Sequence, residues 1–460
     1  MFLNLLPTSI KKYFLMSKRQ RQHELQLTLW RTPFFYIVAT IFLVAFTLFL
    51  DVGLGLADYT NDFFHASFAT TKLLISALIG GILTLSAFTL NSLLVVLTTF
   101  SGQFSPRMLQ NFVKDKQTQH VLGIFNGSFV FVLVMFLFIS SHPVEYFVAV
   151  PFATAGIAFL SALTFIFFIN HATAWMQVHN ITDGMKRVSE EIIHGSLKKD
   201  LENYRTNNPG DLLKKYQSEK KTVKATITGY IQLIDFYEMV EEAKKDNIII
   251  KIETRIGSFI LKDNLLLSYW GPGAEDVDPK KYIDMINMGH KETEIQDLKM
   301  TMNKLAEIAI KAVGNSDPKT ATNTIHQLSD LLLTMDRNIS FSPYLADEDE
   351  QVRFIMETED FDYYLYQGLG TIRHYAQKNY PIITELIASI ERLAKSIDST
   401  RHDSLWNFSR NTLDHIYTEF IFDIDRELLL KKVYDLADTT GHLGEYIEIE
   451  ERLRDPQLRK

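Results

Sequence analysis

The sequence predicts a membrane-embedded domain of four α-helices joined to a cytoplasmic α+β domain, mostly helical with a small β unit. Three observations predict it. Four apolar runs are each long enough for a helix across a bilayer core, which takes about 20 residues. Lys and Arg fall in every second connector between those runs. Beyond about Val178 the composition turns from Phe, Leu, Ile, Val and Ala to Lys, Glu, Asp and Tyr.

The spans are expected at residues 34–56, 73–100, 121–140 and 147–169 of a transmembrane domain covering 34–177. Pro33 suits the start of the first helix, where a missing N–H costs nothing, and that span runs from Phe34 to Leu50, extending to Leu56 if Asp51 sits at the water boundary. Residues 1–33, with Lys11, Lys12, Lys18, Arg19 and Arg21, read as a basic, partly amphipathic lead-in at the membrane surface rather than a signal peptide. The connector from Asp51 to Thr71 holds three Asp and no Lys or Arg; the one between the second and third spans carries Arg107, Lys114 and Lys116. No base lies near His142 and Glu145, and bases return after the fourth span with Lys186 and Arg187. This alternation places both termini in the cytoplasm.

Charged residues are absent from the span interiors, where they commonly mark ion pathways. The polar residues that remain are milder. Thr84, Asn91 and Thr98 recur every seven residues on the second span. They either bond between helices or line a neutral path. Asn126 sits between Gly123 and Gly127, a spacing that lets helices approach closely. Ser161 and Thr164 lie in the fourth span, with Asn170 and His171 at its end. The segment 104–119 is amphipathic, and Arg107, Lys114 and Lys116 are candidates for contact with anionic lipid.

After the spans, residues 178–221 read as a helical connector. Glu190 and His194 stand four apart on it, a pair that more often makes a surface ion contact than a metal site. Residues 222–277 read as the small β unit: a strand at 224–232, a helix at 236–245 capped by Asp235, then strands at 248–253, 255–261 and 265–270. Residues 278–460 read as helical, with helices at 279–288, 294–313, 318–336, 361–377, 381–396, 402–420, 423–437 and 445–453, and an acidic exposed loop at 341–351. The stretch Gly314-Asn-Ser-Asp-Pro-Lys-Thr320 lacks the second glycine of a phosphate loop and does not follow a strand. Gly314 is expected to end one helix, Asp317 to cap the next and Pro318 to open it. Asn315, Ser316, Asp317 and Thr320 form either a tight corner or an anion site at a helix start.

The charge balance, formally −8, gives no support to nucleic-acid binding. The absence of cysteine excludes thiolate zinc sites and cysteine nucleophiles. No catalytic motif stands out, so neither an enzyme activity, a cofactor nor a metal is expected.

Two longer motifs remain. One is Gln103-Phe-Ser-Pro-Arg107, continued by Asn111-Phe112, Asp115, Thr118-Gln119 and Val121-Leu-Gly123. The other is Gly229-Tyr-Ile-Gln-Leu-Ile-Asp235 with Arg255, Gly257 and Phe259 in the strands that follow. With Ser316-Asp-Pro-Lys-Thr-Ala321, they resemble a bacterial family of predicted inner-membrane proteins known as a domain of unknown function. The resemblance implies a bacterial, membrane-embedded, four-helix protein and no established activity. The function expected is a homo-oligomeric inner-membrane sensor, or a protein binding an unknown cytoplasmic ligand or partner. The alternative is a channel or transporter with its path along the second span.

Overall fold

The computed structural model describes residues 31–103, 115–141, 144–175, 177–197, 201–290, 292, 296–357, 359–416 and 422–454. The lead-in up to residue 30, and Arg107 and Lys114 of the expected lipid contact, lie outside them. The chain divides into two units, the first ending at Gln177 and the second beginning at Val178.

In the first unit the long apolar runs form four helices: α1 (Arg31–Leu48, continued by a π turn at Phe49–Gly53), α2 (Phe68–Gln103), α3 (Lys116–Ser141) and α4 (Ala149–Trp175). All four are long and apolar enough to cross a membrane. Helix α3 is the centre: half of its span is buried, against 11% to 22% for the other three. Its Phe131, Val132, Met135 and Ile139 pack with Val44 of α1, Ile75 and Ile82 of α2, and Val150 of α4. In lipid such contacts stabilise by close packing rather than by removal from water. The two connectors at one end are tied by two-residue antiparallel strands, β1 (Ala66–Ser67) and β2 (Tyr146–Phe147).

Asp51 does not sit in water. It is 3% exposed, and its carboxylate accepts from the backbone N–H groups of Val148 (3.2 and 3.3 Å), Ala149 (2.8 Å) and Val150 (2.8 Å). These are the orphan donors at the start of α4, so the first helix caps the fourth.

The second unit opens with α5 (Val178–Glu191) and a π turn to Leu197. The expected helical connector stops there, and the chain then makes short 3-10 turns and strand β3 (Arg205–Thr206). The β content is larger than the expected unit. Strands β4 (Lys221–Lys224), β5 (Gly229–Ile234), β6 (Ile249–Ile252), β7 (Phe259–Ile260), β8 (Leu265–Trp270), β9 (Ile286–Gly289), β10 (Tyr344–Ala346) and β11 (Val352–Ile355) build two sheets. One has the order β3-β10-β11-β6-β8-β4, the other β7-β5-β9. Among the described residues only β6 and β11 run parallel, with Ile250 opposite Phe354.

Three expectations are corrected here. The single strand at 224–232 is two strands in different sheets, because β5 must approach β9 closely: a Cβ on Gly229 would lie 2.6 Å from the Gly289 carbonyl oxygen. The helix at 279–288 is α7 (Pro279–Asp284) followed by β9. The acidic loop at 341–351 is hairpin β10–β11. Its turn is organised by buried Asp347, which accepts from the Asp349 and Gln351 amides (3.0 Å each) and pairs with Arg353 at 2.7 Å.

Helix α6 (Phe236–Lys245) starts on Asp235, whose carboxylate accepts from the Glu238 amide. The rest is helical: α8 (Leu298–Gly314), α9 (Pro318–Asn338), α10 (Phe361–Leu365), α11 (Thr371–Tyr375), α12 (Tyr380–Ala394), α13 (His402–Asp414), α14 (Asp423–Thr440) and α15 (Leu443–Arg454). Helix α12 is buried on nearly all sides, with Ile383, Leu386, Ile387 and Ile390 in the core beside Leu328 and Leu332 of α9 and Val433 and Leu436 of α14.

Candidate functional site

Strand β5 and the start of α8 are locked together by Gln296. Its amide oxygen accepts from the Ile234 N–H and its amide nitrogen donates to the Ile234 carbonyl, both at 3.0 Å. The next residue, Asp297, caps α8 by accepting from the Met300 amide at 3.3 Å. Gly257 supplies the floor beneath that carboxyl. Its φ of +78° and the hydrogen bond its N–H donates to the Ile231 carbonyl (2.8 Å) turn the backbone under Asp297. A Cβ there would meet Asp297 Oδ2 at 2.0 Å, so only glycine fits.

A small cavity of about 50 Å³ opens beside this contact, lined among others by Arg205, Arg255, Asp297, Glu359 and Tyr364. The Tyr364 hydroxyl donates to Glu359 Oε2. Arg205 pairs with Glu202 at 2.8 Å and donates to the Ser342 carbonyl. Arg255 lies 3.4 Å from Glu357 and over the Tyr363 ring. Each arginine thus already has an acid. Asp297 Oδ2 and Glu359 Oε1 accept no hydrogen bond among the described residues.

Burial, reinforced by the nearby Glu359 charge, pushes the Asp297 carboxyl up to about 7. Burial also raises Glu359, against the pull of Tyr364 and Arg255. It lowers the Arg205 guanidinium and raises the Tyr364 hydroxyl. The arrangement can exchange a proton near neutral pH and offers two carboxyls with spare acceptor capacity to one small volume.

The residues singled out in the spans fall into two groups. Gly123 and Gly127 of α3 are consumed inside the unit: a Cβ would meet the Tyr36 ring at 2.4 Å and Thr40 Oγ1 at 2.8 Å, so α1 packs directly across them. Asn126 is exposed and donates to the Leu122 carbonyl. Ser161 and Thr164 are buried and return their hydroxyls to the Ile157 and Leu160 carbonyls. By contrast Thr84, Asn91 and Thr98 are all exposed on α2. Thr84 and Thr98 bond back to their own helix, at the Gly80 and Val95 carbonyls.

His171 joins Asp115 and Thr118, with Nε2 at 3.0 Å from Asp115 Oδ2 and 3.1 Å from Thr118 Oγ1, while Asn170 is exposed. The nearby Gln119 accepts from Thr32 at 2.8 Å. Asp115, Thr118 and Gln119 of the first motif therefore hold the start of α3 to the ends of α1 and α4. Lys116 is exposed in the first turn of α3.

At the corner between α8 and α9, Asp317 caps α9 by accepting from the Thr320 amide at 3.1 Å. The left-handed residue that ends α8 is Ser316, with φ +58°, and not Gly314. The Asp317 amide closes the turn on the Ala312 carbonyl at 2.8 Å. Asn315, Ser316 and Asp317 are exposed and Thr320 is half-buried. The capping bond uses the amide that an anion would need, and Asp317 adds a negative charge beside it. Glu190 pairs with Lys186 at 3.4 Å rather than with His194, and among the described residues no three His, Asp or Glu side chains form a metal cluster.

Sequence reasoning missed Asp51, Arg205, Asp297, Glu359 and Tyr364. Gly257 and Arg255 of the second motif pointed to the neighbourhood, and Asp297 before an apolar-periodic run carried the signature of a helix cap.

A family model described as "Predicted membrane protein (DUF2254)" matches residues 26–392. An uncharacterized protein of Mycobacterium tuberculosis and one of Mycobacterium bovis are each 23% identical over 342 residues, covering 72% of this chain and 65% of theirs. The chain thus spans somewhat less than two thirds of the length of these curated relatives. No solved structure matches.

Proposed function

The chain belongs to the DUF2254 family of predicted membrane proteins, and on that premise we propose a four-span, homo-oligomeric protein of the bacterial inner membrane, with both ends in the cytoplasm. Its second unit binds a small ligand in the Asp297–Glu359 cavity and passes the occupancy to the membrane part. Charge alternation supports the orientation: Arg107, Lys114 and Lys116 fall on one side, and Asp51, Asp58 and Asp62 in a connector without Lys or Arg on the other. The binding reading is carried by one observation. Buried Asp297 and half-buried Glu359 each present to one cavity a carboxyl oxygen that accepts no hydrogen bond among the described residues, while each neighbouring arginine is already paired. The surplus is acidic, so the ligand class is a small organic cation, an amine, which would supply N–H donors to both acids.

Two experiments test this. Compartment reporters at Asp58 and after Arg454 read the topology; an Asp58 reporter inside the cell overturns the orientation. A set of small primary and secondary amines is then titrated onto the purified full chain, following its thermal unfolding. Stabilisation by at least one amine in the wild type, reduced at least tenfold in apparent affinity in Asp297→Asn, supports the site. Equal shifts in both proteins, or none across the set, reject it.

A further inference from the structure

We propose that the cavity between α11 and α13 binds a small organic anion, a carboxylate or phosphate carried on a planar apolar body. It shares no residue with the Asp297–Glu359 cavity and does not depend on the reading given for that one.

The space originates in the backbone. After α10 the chain makes a π turn at Tyr366–Gly370, a rare conformation often found at functional sites. A Cβ on Gly370 would meet the Tyr366 ring at 2.6 Å, so glycine lets that ring lie against the turn. Helix α11 then runs only from Thr371 to Tyr375 before the chain turns into α12. Residues of α11, the start of α12 and the end of α13 enclose a cavity of about 540 Å³, within the range of small-molecule sites.

Its charge is one-sided. The twelve lining residues include Arg373, His374 and His415 and no Asp or Glu, in a chain whose formal charge is −8. Asp414 adjoins His415 in sequence, but its carboxylate pairs with Arg452 at 2.6 Å. Arg373 differs from Arg205 and Arg255, each of which has an acid. Neutral groups hold it in place. It donates to the Phe408 carbonyl at 3.4 Å and to Thr412 Oγ1 at 3.3 Å, and its guanidinium lies 4.6 Å from the centre of the Phe408 ring. Both bonds use Nη1. Nε and Nη2 have no acceptor among the described residues, and that edge of a guanidinium grips two oxygens of an oxyanion side by side. Burial disfavours the charge, and the opposing pull comes from the Tyr366 hydroxyl rather than from a carboxylate.

The histidines add to this head-group site. The Gln377 amide donates to His374 Nδ1 at 3.4 Å, so the proton of the neutral ring sits on Nε2, free to donate. His415 Nδ1 donates to the Asn411 carbonyl at 2.8 Å, which leaves its Nε2 for a ligand. The other walls select the body. Tyr366 and Tyr375 are exposed aromatic side chains, while Ile383 and Ile416 are buried. Rings and aliphatic groups around a few placed donors suit a planar apolar ligand with a charged head.

Calorimetric titration of the purified full chain with benzoate and phenyl phosphate tests this, with benzamide and inorganic phosphate as controls. At least one of the two anions should bind more tightly than its control, and the tighter of the two names the head group. Arg373→Gln should weaken binding about ten- to hundred-fold, as for a hydrogen bond to a charged group. Asn411→Asp, at an exposed position, sets a carboxylate in the cavity and should weaken it about ten-fold; this variant decides the matter if Arg373→Gln does not fold. Asp297→Asn should leave binding unchanged, and a loss there overturns the assignment to this cavity. Benzamide bound as tightly as benzoate overturns the anion. Inorganic phosphate bound as tightly as phenyl phosphate overturns the planar body. No binding of either anion at millimolar concentration, or equal binding in the wild type and Asn411→Asp, overturns the site.

Discussion

Replacing Asp297 with Asn should remove a pH dependence of stability that the wild type carries between about pH 5 and 7. Burial beside Glu359 holds the folded Asp297 carboxyl at about 7, against about 3.9 in an unfolded chain. The folded protein therefore binds this proton more tightly. Its contribution is intact below the unfolded value and is lost as pH rises through about 7. Each pH unit between the two values is worth about 1.4 kcal/mol, so the group's full cost at pH 7.5 is about 4 kcal/mol as an upper figure. The residue is only 6% exposed, so solvent screening removes little of this. Glu359, also raised, acts with the same sign.

The charged neighbours on every packed element are Glu359, Arg255 and Arg205, with Lys299 and Glu292 nearer in sequence; all remain in the variant. Asn keeps the cap, since its side-chain oxygen can still accept from the Met300 amide. Acids of the opposite kind titrate lower. Although burial opposes it, Lys220, Lys251 and Ser268 hold Glu253 down to about 2, so that loss lies outside the window. The assay is urea unfolding of the full chain in detergent, followed by fluorescence of buried Trp270, at half-unit steps from pH 5 to 7.5. A wild type that loses stability across that range and a flatter Asp297→Asn line are expected. Parallel lines, or a wild type that gains stability with pH, would refute the reasoning.

Three other outcomes follow from the same contacts. Gly257→Ala should cost about 2–5 kcal/mol in the same unfolding assay, combining a left-handed backbone with overpacking against Asp297; an unchanged midpoint would mean the carboxyl moves aside freely. Asp51→Ala strips the acceptor from three backbone donors and should cost about 3–5 kcal/mol. Asp51→Asn, which keeps one oxygen, should fall between, with hydrogen exchange at Val148, Ala149 and Val150 accelerated in the same order. Gly123→Ala should cost about 1–3 kcal/mol, because the Tyr36 ring it strikes is held through its hydroxyl by His120 Nδ1 at 3.0 Å; a variant as heat-stable as the wild type would show that α1 is not clamped there.

What could be read in the sequence divides along a physical line. The four spans were legible because lipid demands long uncharged helices, and residues such as Phe131 and Phe159 announce that whatever their partners are. Helices α6 and α9 were legible from their caps, Asp235 and Asp317, since capping is local. The strands outside the expected β unit were not. In β10–β11 the buried Leu345 and Phe354 are outnumbered by the acidic residues of their own turn, and β9 continues the pattern of the helix before it. The capping role of Asp51 was not legible because its partners lie 97 to 99 residues away. The cavity was hidden for the same reason. Asp297 and Glu359 converge from distant segments, and the sequence marked the place only through Arg255, Gly257 and the capping position of Asp297.

The glycines of α2 and α3 carry this point into function. In the sequence, Gly80-Gly81 with Thr84 and Gly123 with Gly127 are one kind of signal, small residues at helical spacing in an apolar run. The fold separates them. The α3 pair is filled by α1, so it holds the first unit together, whereas a Cβ on Gly80 or Gly81 of α2 would meet nothing within 4 Å among the described residues; the same spacing in the sequence thus serves close packing in one helix and leaves open surface in the other.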